Sequence, residues 1–83
     1  MIKKYKQKPV IIEAAQYIGN NVDEIIEFVG EVLLKYNNNT LGIPTLKDII
    51  KANIGDYIIK GIRREYYPCK PDIFKVTYDE VQC

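Results

Sequence analysis

A chain of 83 residues, 47% hydrophobic and 28% charged, makes one globular domain (1–83) with a modest core. Twelve basic against eleven acidic residues leave a formal charge of +1, which argues against a dedicated duplex-DNA binder, whose phosphate contacts draw on a clear basic excess. The chain contains no histidine, serine or tryptophan, so the commonest general base, the serine nucleophile and the usual nitrogen ligand of zinc are missing.

These absences favour a binding protein over an enzyme, with no metal and no cofactor. A small anionic ligand stays open, because it needs only a few local cations. No apolar run approaches the roughly 18 residues of a membrane helix. The lysines near the start lead into no signal-peptide-like stretch, so a cytoplasmic protein is expected. Cys69 and Cys83 are unclustered and do not read as a disulfide framework.

In chain order, Lys4, Lys6 and Lys8 alternate with Tyr5 and Gln7. Val10, Ile12, Ala14 and Ile18 then fall on one side of an extended strand, with Gln16 among them. Gln16 is either a core amide held by backbone or a pocket amide that reads a polar ligand. From Asn21 to Val29, the spacing of Val22, Ile25, Ile26 and Val29 predicts a helix. Asn21 and Glu24 form a capping-box pattern, and Gly30 suits a left-handed end. Glu31 to Tyr36 and Thr40 to Thr45 read as strands around an asparagine turn. Ile49 to Ala52 is expected to complete a hairpin, the competing reading being a helix from Thr45 to Ala52. Tyr57 to Ile62 and Glu65 to Cys69 form a second hairpin after a turn at Asn53 to Gly55. Pro71 fixes the start of a second helix, with Ile73, Phe74, Thr77 and Tyr78 facing inward. The sum is an α+β fold: a small, mainly antiparallel sheet of about five to six strands with two helices on one face.

The runs Gly55-Asp56-Tyr57-Ile58-Ile59-Lys60-Gly61 and Glu65-Tyr66-Tyr67-Pro68-Cys69-Lys70-Pro71-Asp72-Ile73-Phe74 resemble the PGDY(G)-type family of small phage and prophage proteins. Lys8-Pro9-Val10, Glu13-Ala14-Ala15-Gln16-Tyr17 and Ile43-Pro44-Thr45-Leu46 resemble its opening strand and middle hairpin. Ile54 replaces a frequent proline. Arg64 replaces a common glycine; an arginine at positive φ would cost about 1–2 kcal/mol. The resemblance implies a phage accessory protein acting in the host bacterium against host defence, some such proteins sequestering cyclic nucleotide or cyclic ADP-ribose messengers.

A nucleotide site needs a ring platform, cations for phosphate, and amides or hydroxyls for ribose. Gln16, Tyr17, Tyr57, Lys60, Arg63, Arg64, Tyr66, Tyr67 and Lys70 are the candidates for such a ligand-binding cradle, built without catalysis and expected between copies in a homo-oligomer. Each tyrosine can equally be a core ring, and each cation a solvated one. The anion-ready start of the second helix is countered by Asp72. Cys69 beside Lys70 is the one internal thiol nucleophile, and carboxylates such as Asp56 and Glu65 could pair for acid–base work if the hairpin juxtaposes them, but nothing in the spacing demands catalysis. The alternative function is direct inhibition of a host defence effector or nuclease through exposed tyrosines and arginines.

Overall fold

The computed structural model describes residues 1–6, 10–31, 33–36, 38–45, 48–63 and 65–81. Expectations at Gln7, Lys8, Pro9, Asn37, Leu46, Lys47, Arg64 and Cys83 lie outside the described residues.

The elements are β1 (Glu13–Gln16), α1 (Val22–Val29), β2 (Leu34–Lys35), β3 (Leu41–Pro44), β4 (Ile49–Ala52), β5 (Tyr57–Lys60), β6 (Tyr66–Cys69) and α2 (Pro71–Thr77). Among the described residues the chain is α+β, with two helices and six antiparallel strands. The strands divide into two three-stranded sheets, ordered β1-β5-β6 and β2-β3-β4. The hairpin reading of Thr45 to Ala52 holds: Leu41 pairs with Ala52 and Pro44 with Ile49. Thr45 fixes its turn, its N–H donating to the Asp48 carbonyl at 2.8 Å and its hydroxyl accepting the Asp48 N–H at 3.0 Å.

Helix α1 forms where the apolar spacing places it and buries Ile25 and Val29. Gly30 ends it in the left-handed region (φ 79°), its N–H reaching the Ile26 carbonyl at 2.7 Å. Asn21 does not cap by the expected route. Its side chain accepts the Ile18 N–H (2.9 Å) and donates to the Gln16 carbonyl (2.8 Å) and the Glu24 carboxylate (2.7 Å). It therefore ties the end of β1 to the first turn of α1 instead of satisfying the helix's own amides.

The main core joins Ile25 and Val29 to Leu41, Ile43, Ala52 and Ile58, with Tyr17 and Leu33 from the connections. This overturns one expected face. Val10, Ala14 and Ile18 are exposed, while Ala15 and Tyr17 turn inward. The segment from Ile11 to Ile18 carries apolar residues at both parities, so alternation could not choose between its faces. Pairing with β5 sets Ala15 opposite Ile58 and Ala14 opposite Ile59, both buried, and the faces differ in what covers them: Ala15 and Tyr17 join the main core, while Ala14 lines a cleft. On α2, likewise, Phe74 and Tyr78 are half-buried but Ile73 and Thr77 are exposed.

Ile58→Ala should cost about 2–5 kcal/mol in urea unfolding, because a fully buried side chain leaves a cavity. Ile18→Ala should stay within about 0.5 kcal/mol of the parent. Equal losses at the two positions would contradict the assignment of faces.

Candidate functional site

The Gly55-Asp56-Tyr57 motif is built around one turn. Gly55 has φ +99°, a backbone that side-chain-bearing residues rarely adopt. The Asp56 carboxylate accepts the Asn53 N–H at 2.8 Å, and the Asp56 N–H donates back to the Asn53 carbonyl at 3.0 Å. The turn is then fastened to the end of β1. The Gly55 N–H donates to the Tyr17 carbonyl (2.7 Å), and the Tyr17 N–H donates to the Asp56 carbonyl (2.9 Å). Gln16 Nε2 donates to the Gly55 carbonyl at 3.1 Å, so the Gln16 amide is held by backbone. Tyr17 is 2% exposed, and its hydroxyl donates to the Asn39 carbonyl at 2.9 Å.

From this turn Tyr57 projects toward α2. Its ring stacks on Phe74 with centroids 3.9 Å apart and planes within 6°. Phe74 in turn meets Tyr78 at 5.0 Å. Residues 66 and 67 point to opposite faces of β6, as strand geometry requires. Tyr66 packs edge-on against Phe28 (5.6 Å, 82°) and donates to the Phe28 carbonyl at 3.2 Å. Tyr67 meets Tyr78. Partial burial, followed by its hydrogen bond to the Tyr78 hydroxyl, pushes the Tyr67 phenol above its ordinary 10.0.

The expected cations are dispersed. Lys60 is the cross-strand partner of Glu13 and Tyr66, its Nζ 3.8 Å from the Glu13 carboxylate in a solvent-facing pair worth about 0–1 kcal/mol. Arg63 is exposed at the hairpin tip, and Lys70 is exposed beyond the other end of β6, roughly 13 Å of strand away. Arg64 lies outside the described residues. The structure therefore brings Gln16 beside Tyr57 and Lys60 beside Tyr66, but it does not gather the eight described candidates into one cradle. Cys69 is half-buried opposite Tyr57, with its Sγ 3.6 Å from the Lys70 carbonyl. Asp56 is engaged by its turn, and Glu65 sits beyond the far end of the hairpin. Helix α2 has seven residues and begins at Pro71 with no side-chain cap.

A different concavity is present. A cleft of about 720 Å³ opens between the segment Val10 to Ala14 and α2 with the tail behind it. Tyr57, Phe74 and Tyr78 give it an aromatic floor, and Phe28 also lines it. Its polar edge is Glu13, Asp79 and Glu80, with no lysine or arginine among the described lining residues. Sequence reasoning picked out Tyr57 here and missed the rest. The available signals were the apolar Val10-Ile12-Ala14 row, assigned to the core, and the Asp79-Glu80 pair after an aromatic helix. Among the described residues, no group of three or more acidic or cysteine side chains could hold a metal ion, and no helix is long and apolar enough to cross a membrane. The chain matches no protein-family model, no curated protein and no solved structure.

Gly55→Ala should cost about 1–2 kcal/mol through its positive φ, and Asp56→Ala about 1–3 kcal/mol through the lost bond to Asn53. Both read out in urea melts, and a neutral Asp56→Ala would remove the carboxylate from the turn's support. For Tyr67, a raised folded value means that the neutral phenol is favoured in the native state. Its contribution is complete below pH 10.0 and is lost as pH climbs through the higher folded value. Above pH 10 the parent should lose stability more steeply than Tyr67→Phe.

Proposed function

We propose that this chain is a non-catalytic binding protein that docks a polypeptide segment carrying apolar and basic side chains in the aromatic cleft. With the resemblance to small phage proteins, that makes it an accessory protein acting against host defence by direct contact with a defence effector. The observation that carries the reading is the cleft's chemistry: an aromatic floor under a rim of Glu13, Asp79 and Glu80. Aromatic surface accepts aliphatic and ring side chains, and the carboxylates attract lysine or arginine at the edge. A phosphate-bearing ligand would meet three carboxylates there and no described cation.

Sequestration of a nucleotide-derived messenger is the second reading. The aromatic lining of the cleft favours it, because bases stack on aromatic side chains. Lys60 and Arg63 would then have to serve the phosphates from outside the cleft.

One experiment separates the two. Short tyrosine-containing peptides, identical except for basic, neutral or acidic flanks, are titrated against the protein by NMR. In parallel, cyclic dinucleotides and cyclic ADP-ribose isomers are incubated with it and followed by mass detection. Basic peptides should shift the Tyr57, Phe74 and Tyr78 signals, acidic ones should not, and no nucleotide should be depleted. Phe74→Ala should weaken peptide binding by about tenfold, since an aromatic pair and its buried area are both lost. Depletion of an intact nucleotide without peptide binding would replace the first reading with the second.

A further inference from the structure

Residues 1–6 carry the chemistry that the cleft lacks. Lys3, Lys4 and Lys6 alternate with or flank Ile2 and Tyr5, and all six residues are exposed. Ile2 and Tyr5 are 100% and 89% exposed, so two large apolar side chains have nothing packed on them. The molecule measures 46 × 33 × 22 Å, and its radius of gyration is 14.1 Å against about 12 Å for a compact chain of this length. No ion pair among the described residues involves the arm's lysines. The cleft shows the complementary deficits: aromatic surface open to solvent, and three carboxylates of which only Glu13 has a described ion-pair partner, the solvent-facing Lys60.

We propose that the arm Met1–Lys6 of one copy seats in the cleft of a second copy, making a self-associated form in which the cleft is occupied by the chain's own basic, apolar segment. Tyr5 and Ile2 lie on the Tyr57–Phe74–Tyr78 floor, and the lysines face Glu13, Asp79 and Glu80. Three lysines against three exposed carboxylates match in number and are opposite in charge. The cleft wall begins at Val10, soon after the arm, so an arm leaving one cleft starts beside it and two copies can exchange arms reciprocally about a twofold axis. The proposal rests on the reading that the cleft takes a basic, apolar polypeptide, and it names a partner that is always available: another copy. A host segment would then have to displace the arm, which makes self-association a brake on binding.

Sedimentation of the full chain over a concentration series tests this. The parent should form a dimer that weakens as salt rises. Lys3→Glu/Lys4→Glu/Lys6→Glu should weaken it by tenfold or more, and so should Ile2→Ala/Tyr5→Ala, a change confined to exposed side chains that leaves the fold intact. Asp79→Lys/Glu80→Lys should do the same from the cleft side. An equimolar mixture of the lysine-reversed and carboxylate-reversed chains should regain a mass of two chains. A parent that stays monomeric at every concentration, a dimer indifferent to Ile2→Ala/Tyr5→Ala, or a mixture that fails to associate would each overturn the proposal. If basic peptides still bind the cleft while the parent stays monomeric, the arm exchange fails and the peptide-binding reading stands. If neither occurs, both fall.

Discussion

The turn from Asn53 to Asp56 is the constraint on which the rest of the molecule depends. It links the last strand of one sheet to the central strand of the other, and it is held from three sides. Asp56 closes it on Asn53, Asn53 Oδ1 accepts the hydroxyl of the buried Thr40 at 3.2 Å, and the backbone of Tyr17 is bonded to both Gly55 and Asp56. With these bonds made, β5 enters next to β1 in a single register and Ile58 is delivered to the core. The same register sends Tyr57 out of the opposite face, where it receives Phe74. The turn therefore decides both what is buried and what floors the cleft.

Helix α2 depends on that outcome. A seven-residue helix is too short to be stable alone in water, and none of its residues is fully buried. What attaches it is the aromatic series from Tyr57 through Phe74 to Tyr78. An attachment made of ring faces leaves ring area beside it, and that residual area is the cleft floor. Structural aromatics and functional surface are here the same side chains.

The balanced charge of the chain hides a separation. Lysines collect on the exposed arm, and carboxylates collect at the cleft edge and on the outer side of α1. A net charge near zero excludes strong general attraction to polyanions, but it does not exclude local complementarity strong enough to choose a partner. The function proposed for the cleft follows from this local distribution. The cationic, tyrosine-lined cradle expected from the motif draws on Lys60, Arg63 and Lys70, but the hairpin keeps Lys60 and Arg63 toward its tip and sets Lys70 at the opposite end of β6.

Much of the local structure was legible in the residues. The spacing of Val22, Ile25, Ile26 and Val29, the glycine at 30, the hairpin from Leu41 to Ala52 and the proline start at 71 all follow from short-range sterics and periodicity, which act within a few residues. Three things were not. The inward face of β1 depended on what covers each side, because both of its parities are apolar. The division of six strands into two sheets depended on how the Asn53 turn fastens to Tyr17, a contact across 38 positions of chain. The cleft depended on residues near 10, 28, 57, 74 and 80 meeting, and no local pattern encodes that meeting. The amino-acid sequence by itself determined the elements and the absence of histidine and serine chemistry. Tertiary structure alone decided which tyrosines are core, which are floor, and which charges face them, since burial and electrostatic environment are set by long-range contacts.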